Sequence, residues 1–158
     1  MKKLEEIPEE KRVYIDESGN NTELDRTHGY APSGETVDGK THGVKTEKLN
    51  IVAGKCGERI IERHEYSCNM NSRYFEFWFM LVLRVMGKGY WYIMDNARFH
   101  RKGVLSEMAE TAGSHVLFLP RYSPDLNPIE HEWTNLKSFL RNYGRYYDST
   151  SDALLDFF

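Results

Sequence analysis

Two short apolar segments, each ending at an aspartate, constrain the fold of this chain more than any other feature. Residues 13–15 (Val-Tyr-Ile) lead directly into Asp16, and the apolar residues 90–94 lead into Asp95. Both segments have the composition and length of buried β-strands. If these strands are neighbours in one sheet, the two carboxylates lie at a common edge, where α/β proteins place their sites.

The rest of the pattern predicts an α/β fold. Ser18 and Gly19 are expected to end the first strand, and residues 19–43 are expected to be mostly loop, with a short strand near Gly29 and Tyr30. Further strands are predicted at residues 49–55, Arg59–Tyr66 and 116–119, and helices at Ser72–Met86, 104–111, 128–143 and 151–158. Three antiparallel strands followed by alternating helices and parallel strands predict a mixed sheet with helices on both faces.

Length and composition favour one domain. The chain has 158 residues, 40% of them hydrophobic, which suits a single core. Residues 1–11 are charged and lead into no apolar stretch, so we expect a solvated tail or remnant linker before one domain at residues 12–158. Cys56 and Cys68 form no CxxC pair, which favours a reduced, cytosolic setting. No apolar run is long enough to span a bilayer.

Asp16 and Asp95 are candidate metal ligands. Two carboxylates so close would raise each other's pKa unless a cation lay between them, and a hard divalent ion is the natural partner. In the simpler alternative, each aspartate begins a turn or caps a helix. Glu17 is expected to point to the opposite face of the strand from Asp16, because successive side chains alternate.

Glu130 has two interpretations. Asn127 suits an N-cap, Pro128 suits the first helical position, and Glu130 then occupies the position of a capping-box glutamate. However, three prolines within residues 120–128 stiffen the approach and fix where the helix begins, which suits a metal ligand better. Glu132 lies about 200° further around the helix and points elsewhere.

Several segments resemble the catalytic blocks of mariner-superfamily transposases, in particular their bacterial insertion-sequence branch. Residues 95–100 (Asp-Asn-Ala-Arg-Phe-His) resemble the second block and residues 122–130 (Tyr-Ser-Pro-Asp-Leu-Asn-Pro-Ile-Glu) the third, while residues 13–19 resemble the first. The 34 residues between Asp95 and Glu130 match the spacing of that family. The resemblance extends from about residue 13 to about residue 143.

This resemblance implies a ribonuclease-H-like DDE catalytic domain that cleaves and joins DNA strands at transposon ends. Asp16, Asp95 and Glu130 would be the catalytic residues and the ligands of two Mg²⁺ or Mn²⁺ ions. The implied partners are DNA, a second copy of the chain, and a helix-turn-helix DNA-binding domain that is separate or missing. The implied location is the bacterial cytosol or nucleoid. Residues that could contact DNA or position the metal ligands are Asn96, Arg98, His100, Arg121 and Lys137. Further basic residues that could contact DNA phosphates are Arg101, Lys102, Arg141 and Arg145.

Two alternatives remain open from the sequence. One is a catalytically silent DNA-binding or assembly remnant, and the other is a different ribonuclease-H-like nuclease such as a junction resolvase. Assembly is a separate question, because the helix at Ser72–Met86 is apolar around most of its circumference. We expect part of it, or of the C-terminal segment, to meet a second copy or a further domain, unless the C-terminal helix covers it within one chain.

Overall fold

The computed structural model describes residues 2–20, 49–120 and 126–158. Within them lies a five-stranded sheet with helices on both faces. The strands are β1 (Arg12–Asn20), β2 (Leu49–Cys56), β3 (Arg59–Tyr66), β4 (Trp91–Met94) and β5 (His115–Phe118). The helices are α1 (Lys2–Glu5), α2 (Ser72–Met86), α3 (Lys102–Thr111), α4 (Ile129–Tyr143) and α5 (Thr150–Phe157).

The sheet has the order β3-β2-β1-β4-β5, with β1 in the centre. β1 pairs antiparallel with β2 and parallel with β4, β2 pairs antiparallel with β3, and β5 adds in parallel to β4. This topology confirms the mixed sheet expected from the sequence. The short strand expected near Gly29 and Tyr30 lies outside the described residues.

β1 is longer than the sequence predicts. Ser18 and Gly19 do not end the strand, because Ser18 pairs with Ile51 and Gly19 with Asn50. The backbone hydrogen bonds offered by β2 outweigh the local turn tendency of these residues, which is how tertiary context overrides propensity.

The hairpin of β2 and β3 turns at Gly57, whose φ of +57° suits glycine, and contains a bulge near Glu62. Glu62 has a φ of +44°, and the indole Nε1 of Trp78 donates a hydrogen bond of 2.7 Å to its carbonyl oxygen. The bulge is therefore attached to α2.

Two hydrophobic cores lie on opposite faces of the sheet. On one face, α2 and α3 pack against β1 and β4 through residues that include Val13, Ile15, Phe75, Phe79, Tyr92, Met94 and Leu105. On the other face, α4 and α5 pack against β2 through residues that include Ile51, Ala53, Trp133, Leu136 and Leu154. The expectation of helices on both faces is therefore confirmed.

The outer face of α2 is uncovered within the described part of the chain. Phe77, Met80 and Val85 are 59%, 38% and 57% exposed. The alternative in which the C-terminal helix covers α2 is wrong, because α5 packs against α4 on the opposite face of the sheet. Only residues 144–149 separate α4 from α5, so the chain folds back beside α4.

The N-terminal residues are more ordered than a solvated tail. Ile7 is only 5% exposed, and Leu4 packs against a small core of Tyr14, Ile93 and Leu119. The guanidinium group of Arg12 donates two hydrogen bonds to the carbonyl oxygen of Ile7. The expectation that residues 1–11 are a solvated tail is therefore wrong at Ile7. The interpretation of these residues as a remnant linker stays a prediction. Among the described residues, no helix is both long and apolar enough to cross a membrane.

The end of α2 provides a test of the fold. Gly87 has φ +76° and ψ −150°, a conformation that side chains disfavour. We expect Gly87→Ala to lower the free energy of unfolding by about 1–3 kcal/mol, because strain of this kind carries that cost. The control is Gly144→Ala at the end of α4, where φ is −53° and an added Cβ also meets open space. Urea unfolding of both variants checks the prediction, and equal stabilities would contradict it.

Candidate active site

The parallel pairing of β1 with β4 brings two predicted site residues together. Tyr14 pairs with Ile93, so the residues two positions further along the strands, Asp16 and Asp95, are side by side. β4 ends at Met94, and Asp95 follows at its carboxyl end. Because side chains alternate along β1, Asp16 points toward the face covered by α4. The Oδ1 atom of Asp95, beyond the end of β4, lies 3.2 Å from His100. The two aspartates are therefore neighbours, but only Asp95 lies at the end of its strand. The expectation that Asp16 ends its strand is wrong, because β1 continues to Asn20.

Asp16 lies in a buried environment. The indole Nε1 of Trp133, on α4, donates a hydrogen bond of 3.0 Å to its Oδ2 atom. The pKa of Asp16 is raised from 3.8 to about 7, and burial is the largest cause. The charges of Glu130 and Asp95 also act to raise it, while hydrogen bonds from the Glu17 backbone and Trp133 act to lower it. Without a cation, this carboxyl group is therefore partly protonated at neutral pH.

Asp95 has the opposite character. Its side chain is 58% exposed. The backbone N–H of Ala97 donates a hydrogen bond of 3.0 Å to Oδ1, and the Nδ1 atom of His100 lies 3.2 Å from the same oxygen. The hydrogen bond from His100 is the main reason that the pKa of Asp95 is lowered, ahead of the opposing effect of partial burial. Two adjacent carboxyl groups are thus pushed toward different protonation states, which is typical of catalytic sites.

Glu130 lies exposed in the first turn of α4. Its charge contributes to the raised pKa of Asp16, so its carboxylate is within electrostatic reach of that group. The capping-box interpretation finds no support, because α4 begins without a side-chain capping hydrogen bond. The Nδ2 atom of Asn127 instead lies 3.5 Å from the carbonyl oxygen of Ile15, on β1. Asn127 therefore attaches the start of α4 to the strand that carries Asp16.

Glu132 points away from this site, as the helical geometry predicts. Its carboxylate forms an ion pair with Lys55 on β2. Glu130 and Glu132 therefore lie in different environments, although only one residue separates them in the sequence.

His100 is a buried link between two carboxylates. Its Nδ1 atom lies 3.1 Å from the main-chain oxygen of Asp95, and its Nε2 atom lies 3.8 Å from Oε1 of Glu17. Burial alone would lower the pKa of His100, but its contacts with Asp95 and Glu17 together raise it from 6.5 to about 9. His100 is therefore positively charged at neutral pH.

The other candidates are placed as follows. The Nδ2 atom of Asn96 donates a hydrogen bond of 2.6 Å to the carbonyl oxygen of Leu119, so this amide ties the loop after β4 to the end of β5. Arg98 and Lys137 are exposed, and Arg121 lies outside the described residues. Arg101 makes two hydrogen bonds to Glu76 on α2, and Lys102 lies over the ring of Phe118. Arg101 and Lys102 thus have partners within the chain.

The donor chemistry of Asp16, Asp95 and Glu130 fits a hard divalent cation, because all three offer carboxylate oxygens. The electrostatic strain at Asp16 is also what a cation would relieve. In the described part of the chain, however, no three metal-binding side chains already converge as ready-made ligands. The side chains would have to turn toward a shared ion, so their assignment as ligands stays a prediction.

Two residues were not assigned to the site from sequence. Trp133 is not among the candidates named from the sequence, although a buried tryptophan needs a partner for its indole N–H, which is a usable signal. Glu17 was correctly expected to face away from Asp16. Its contact with His100 had no signal, because 82 residues separate them in sequence.

Comparison with known proteins agrees with this geometry. A family model described as "DDE superfamily endonuclease" matches residues 11–153. The chain therefore belongs to the DDE superfamily of endonucleases.

Individual relatives refine the placement. The Transposable element Tc1 transposase of Caenorhabditis elegans is 35% identical over 72 residues, which are 46% of this chain and 25% of that protein. The Mos1 transposase paired-end complex with left transposon end has a TM-score of 0.71 at 16% identity, covering 88% of this chain and 44% of that one. The Mos1 transposase catalytic domain with Raltegravir and Mg has a TM-score of 0.66 at 16% identity, covering 98% and 73%.

These structures establish the fold as ribonuclease-H-like, with the catalytic-domain architecture of mariner-type transposases. The chain spans only a quarter of the Tc1 relative and less than half of the Mos1 chain in its paired-end complex.

The buried carboxyl group of Asp16 gives a stability prediction. Its folded-state pKa is about 7 against 3.8 ordinarily, so the folded chain holds a proton that the unfolded chain releases between these values. Stability of the metal-free chain therefore falls as pH rises from about 4 to 7. Because one pKa unit corresponds to about 1.4 kcal/mol, we expect Asp16→Asn to raise the free energy of unfolding by roughly 1–3 kcal/mol at pH 8 and by much less at pH 4.

The measurement is urea unfolding in EDTA at both pH values. The control is Asp148→Asn, an exposed aspartate after α4, which should leave the pH dependence of stability unchanged. A variant less stable than the wild type at pH 8 would mean that the hydrogen bond from Trp133 to a charged Asp16 outweighs the cost of burying it.

Proposed function

We propose that this chain is the catalytic domain of a transposase that cleaves and joins DNA strands at transposon ends. The observation that carries the proposal is the position of Asp16, within β1, near Asp95, at the carboxyl end of the parallel strand β4, with Glu130 within electrostatic reach of Asp16. Membership of the DDE endonuclease superfamily supports the chemistry. The DNA named in the Mos1 complex, a transposon end, supports the substrate class.

In this proposal, Asp16, Asp95 and Glu130 hold two Mg²⁺ or Mn²⁺ ions. When bound, such ions activate the attacking water or 3′-hydroxyl group and stabilise the leaving oxygen. Asp95 is already charged and exposed, so it is the ligand that is ready for a cation. Asp16 must give up its proton, and Trp133 keeps the Oδ2 atom oriented as it does so. No covalent protein–DNA intermediate is required.

DNA contacts are proposed along the exposed face of α4. Lys137 and Arg141 follow Glu130 by seven and eleven residues, which places them within about 20° of it around the helix. Both are exposed. The two positively charged side chains therefore form a row that begins near Glu130. Such a row can bind the phosphates of a DNA strand whose scissile bond lies at Glu130. Arg98 and Arg121 remain further proposed contacts, and Asn96 and His100 are better suited to ordering the loop after Asp95.

Substitution of the acidic residues tests the proposal. We expect Asp95→Asn and Glu130→Gln each to reduce Mn²⁺-dependent cleavage of supercoiled DNA by at least 100-fold, because each loses a charged ligand with little change in shape. The control is Glu132→Gln, which lies on the same helix but pairs with Lys55 and should retain cleavage within a few-fold. Gel analysis of nicked and linear products, with circular dichroism to verify folding, gives the measurement.

Two outcomes would count against this assignment. Retained cleavage by Asp95→Asn would remove that residue from the catalytic set. Binding of DNA without cleavage by the wild-type chain, with and without transposon ends, would favour the catalytically silent remnant.

We further propose that the chain acts as a homodimer through the outer face of α2. Phe77, Met80 and Val85 form an exposed apolar patch that α5 does not cover. Joining two transposon ends would require two catalytic centres, which a dimer supplies. The proposal also includes a helix-turn-helix domain, in the same or a separate chain, that recognises the transposon ends. It places the protein in the bacterial cytosol or nucleoid.

A charge placed in the patch tests the dimer. We expect Phe77→Glu to convert a dimer into a monomer at micromolar concentration, because the buried interface would have to desolvate the carboxylate. The control is Leu155→Glu on α5, where the replaced side chain is 69% exposed but lies on the other face of the sheet. Light scattering with and without DNA gives the mass. A wild-type chain that is monomeric in both conditions would rule out this interface.

A further inference from the structure

The face of the sheet opposite Asp16 carries a second polar cluster. Glu17 follows Asp16 on β1 and therefore points toward the side of α2 and α3. Its side chain is 20% exposed, and its neighbours are His100 and Tyr66. Burial, followed by the charge of Glu17, raises the pKa of Tyr66, so its hydroxyl group stays protonated. A glutamate held in such a place needs an explanation, because burying a carboxylate is costly.

His100 connects this cluster to Asp95. The imidazole ring is held by aromatic neighbours, with ring centroids 4.2 Å from Phe75 and 4.6 Å from Phe99. Its backbone N–H donates a hydrogen bond of 3.0 Å to the carbonyl oxygen of Ala97, which closes the turn after Asp95. The ring is therefore fixed before any ligand arrives, with Nδ1 toward Asp95 and Nε2 toward Glu17.

The Nε2 atom depends on Glu17. It is buried and makes no hydrogen bond with the described residues, and the Oε1 atom of Glu17 lies 3.8 Å away as an ion-pair partner. Nδ1 faces two oxygens of Asp95, so it carries a proton. The carboxylate of Glu17 is therefore the charge that faces Nε2 among the described residues.

We propose that Glu17 and His100 are positioning residues, with Glu17 orienting His100 and His100 orienting the carboxylate of Asp95 for divalent cations. This inference rests on the proposed function. Asp95 is exposed and follows the end of its strand, so without its contacts to Ala97 and His100 its side chain would have rotational freedom, and a bound ion would have to remove it. Groups that orient a metal ligand in advance reduce this cost, and removing them typically weakens metal affinity or activity by about 10–100-fold.

Glu17→Gln is the main test, because it removes the charge without changing the shape of the side chain. We expect it to weaken Mn²⁺ binding about tenfold or more, measured from free Mn²⁺ by electron paramagnetic resonance, while the unfolding temperature changes by only a few degrees. The matched control is Glu65→Gln on β3, where the side chain is 22% exposed and also has a cationic neighbour, Arg63. That variant should bind Mn²⁺ like the wild type.

Variants of His100 separate positioning from packing. His100→Phe preserves an aromatic ring against Phe75 and Phe99 but has no donor, and it should lose as much affinity as Glu17→Gln. His100→Asn retains a donor near the place of Nδ1 and should recover part of the loss. In an Asp95→Asn chain, Glu17→Gln should change Mn²⁺ binding by less than about twofold, because the effect passes through Asp95.

The outcomes distinguish this inference from the proposed function. If Asp95→Asn reduces Mn²⁺ binding and cleavage while Glu17→Gln or His100→Phe binds Mn²⁺ within twofold of the wild type, only the positioning role is overturned. An equal loss from Glu17→Gln in the wild-type and Asp95→Asn chains would also overturn it, since the effect would then be a general one of charge. If Asp95→Asn itself has no effect on binding or cleavage, the proposed active site fails.

Discussion

The parallel pairing of β1 with β4 is the constraint on which the candidate site depends. It pairs residues that are 79 positions apart in the chain, such as Tyr14 and Ile93, and thereby brings Asp16 near Asp95. A slip of one residue along either strand would reverse the face to which its aspartate points. The pairing is held by apolar side chains on both faces of the two strands, with Val13, Ile15, Tyr92 and Met94 on one face and Tyr14 and Ile93 on the other.

The two faces of the central sheet carry different residues of the candidate site. On the face of α4 lie Asp16, Glu130 and Trp133, the hydrogen-bond donor to Asp16. On the face of α2 and α3 lies Glu17, and His100 lies between it and Asp95, at the end of β4. Because side chains alternate along β1, the neighbouring residues Asp16 and Glu17 lie on opposite faces of the sheet. Both belong to the same candidate site.

The electrostatics of the site oppose stability and favour cation binding. Asp16 is buried beside other carboxylates, which makes its charged form costly in the metal-free chain. A site built only for folding would have an apolar residue there, since replacing a buried charge with an apolar group often stabilises a protein. Retaining acids on and directly after two central strands makes physical sense when a divalent cation offsets their repulsion.

The amino-acid sequence by itself determined the order of elements and the choice of Asp16, Asp95 and Glu130 as candidates. Apolar periodicity and the glycines Gly57 and Gly87 suffice for the elements, because they are properties of short segments. The acidic residues were chosen because apolar segments lead into Asp16 and Asp95, and because the segments around all three resemble known catalytic blocks. Only the tertiary structure decided that β1 continues past Gly19, that α5 lies beside α4, and that His100 lies between Asp95 and Glu17. Each of these depends on contacts between distant segments, whose energies have no counterpart in local sequence.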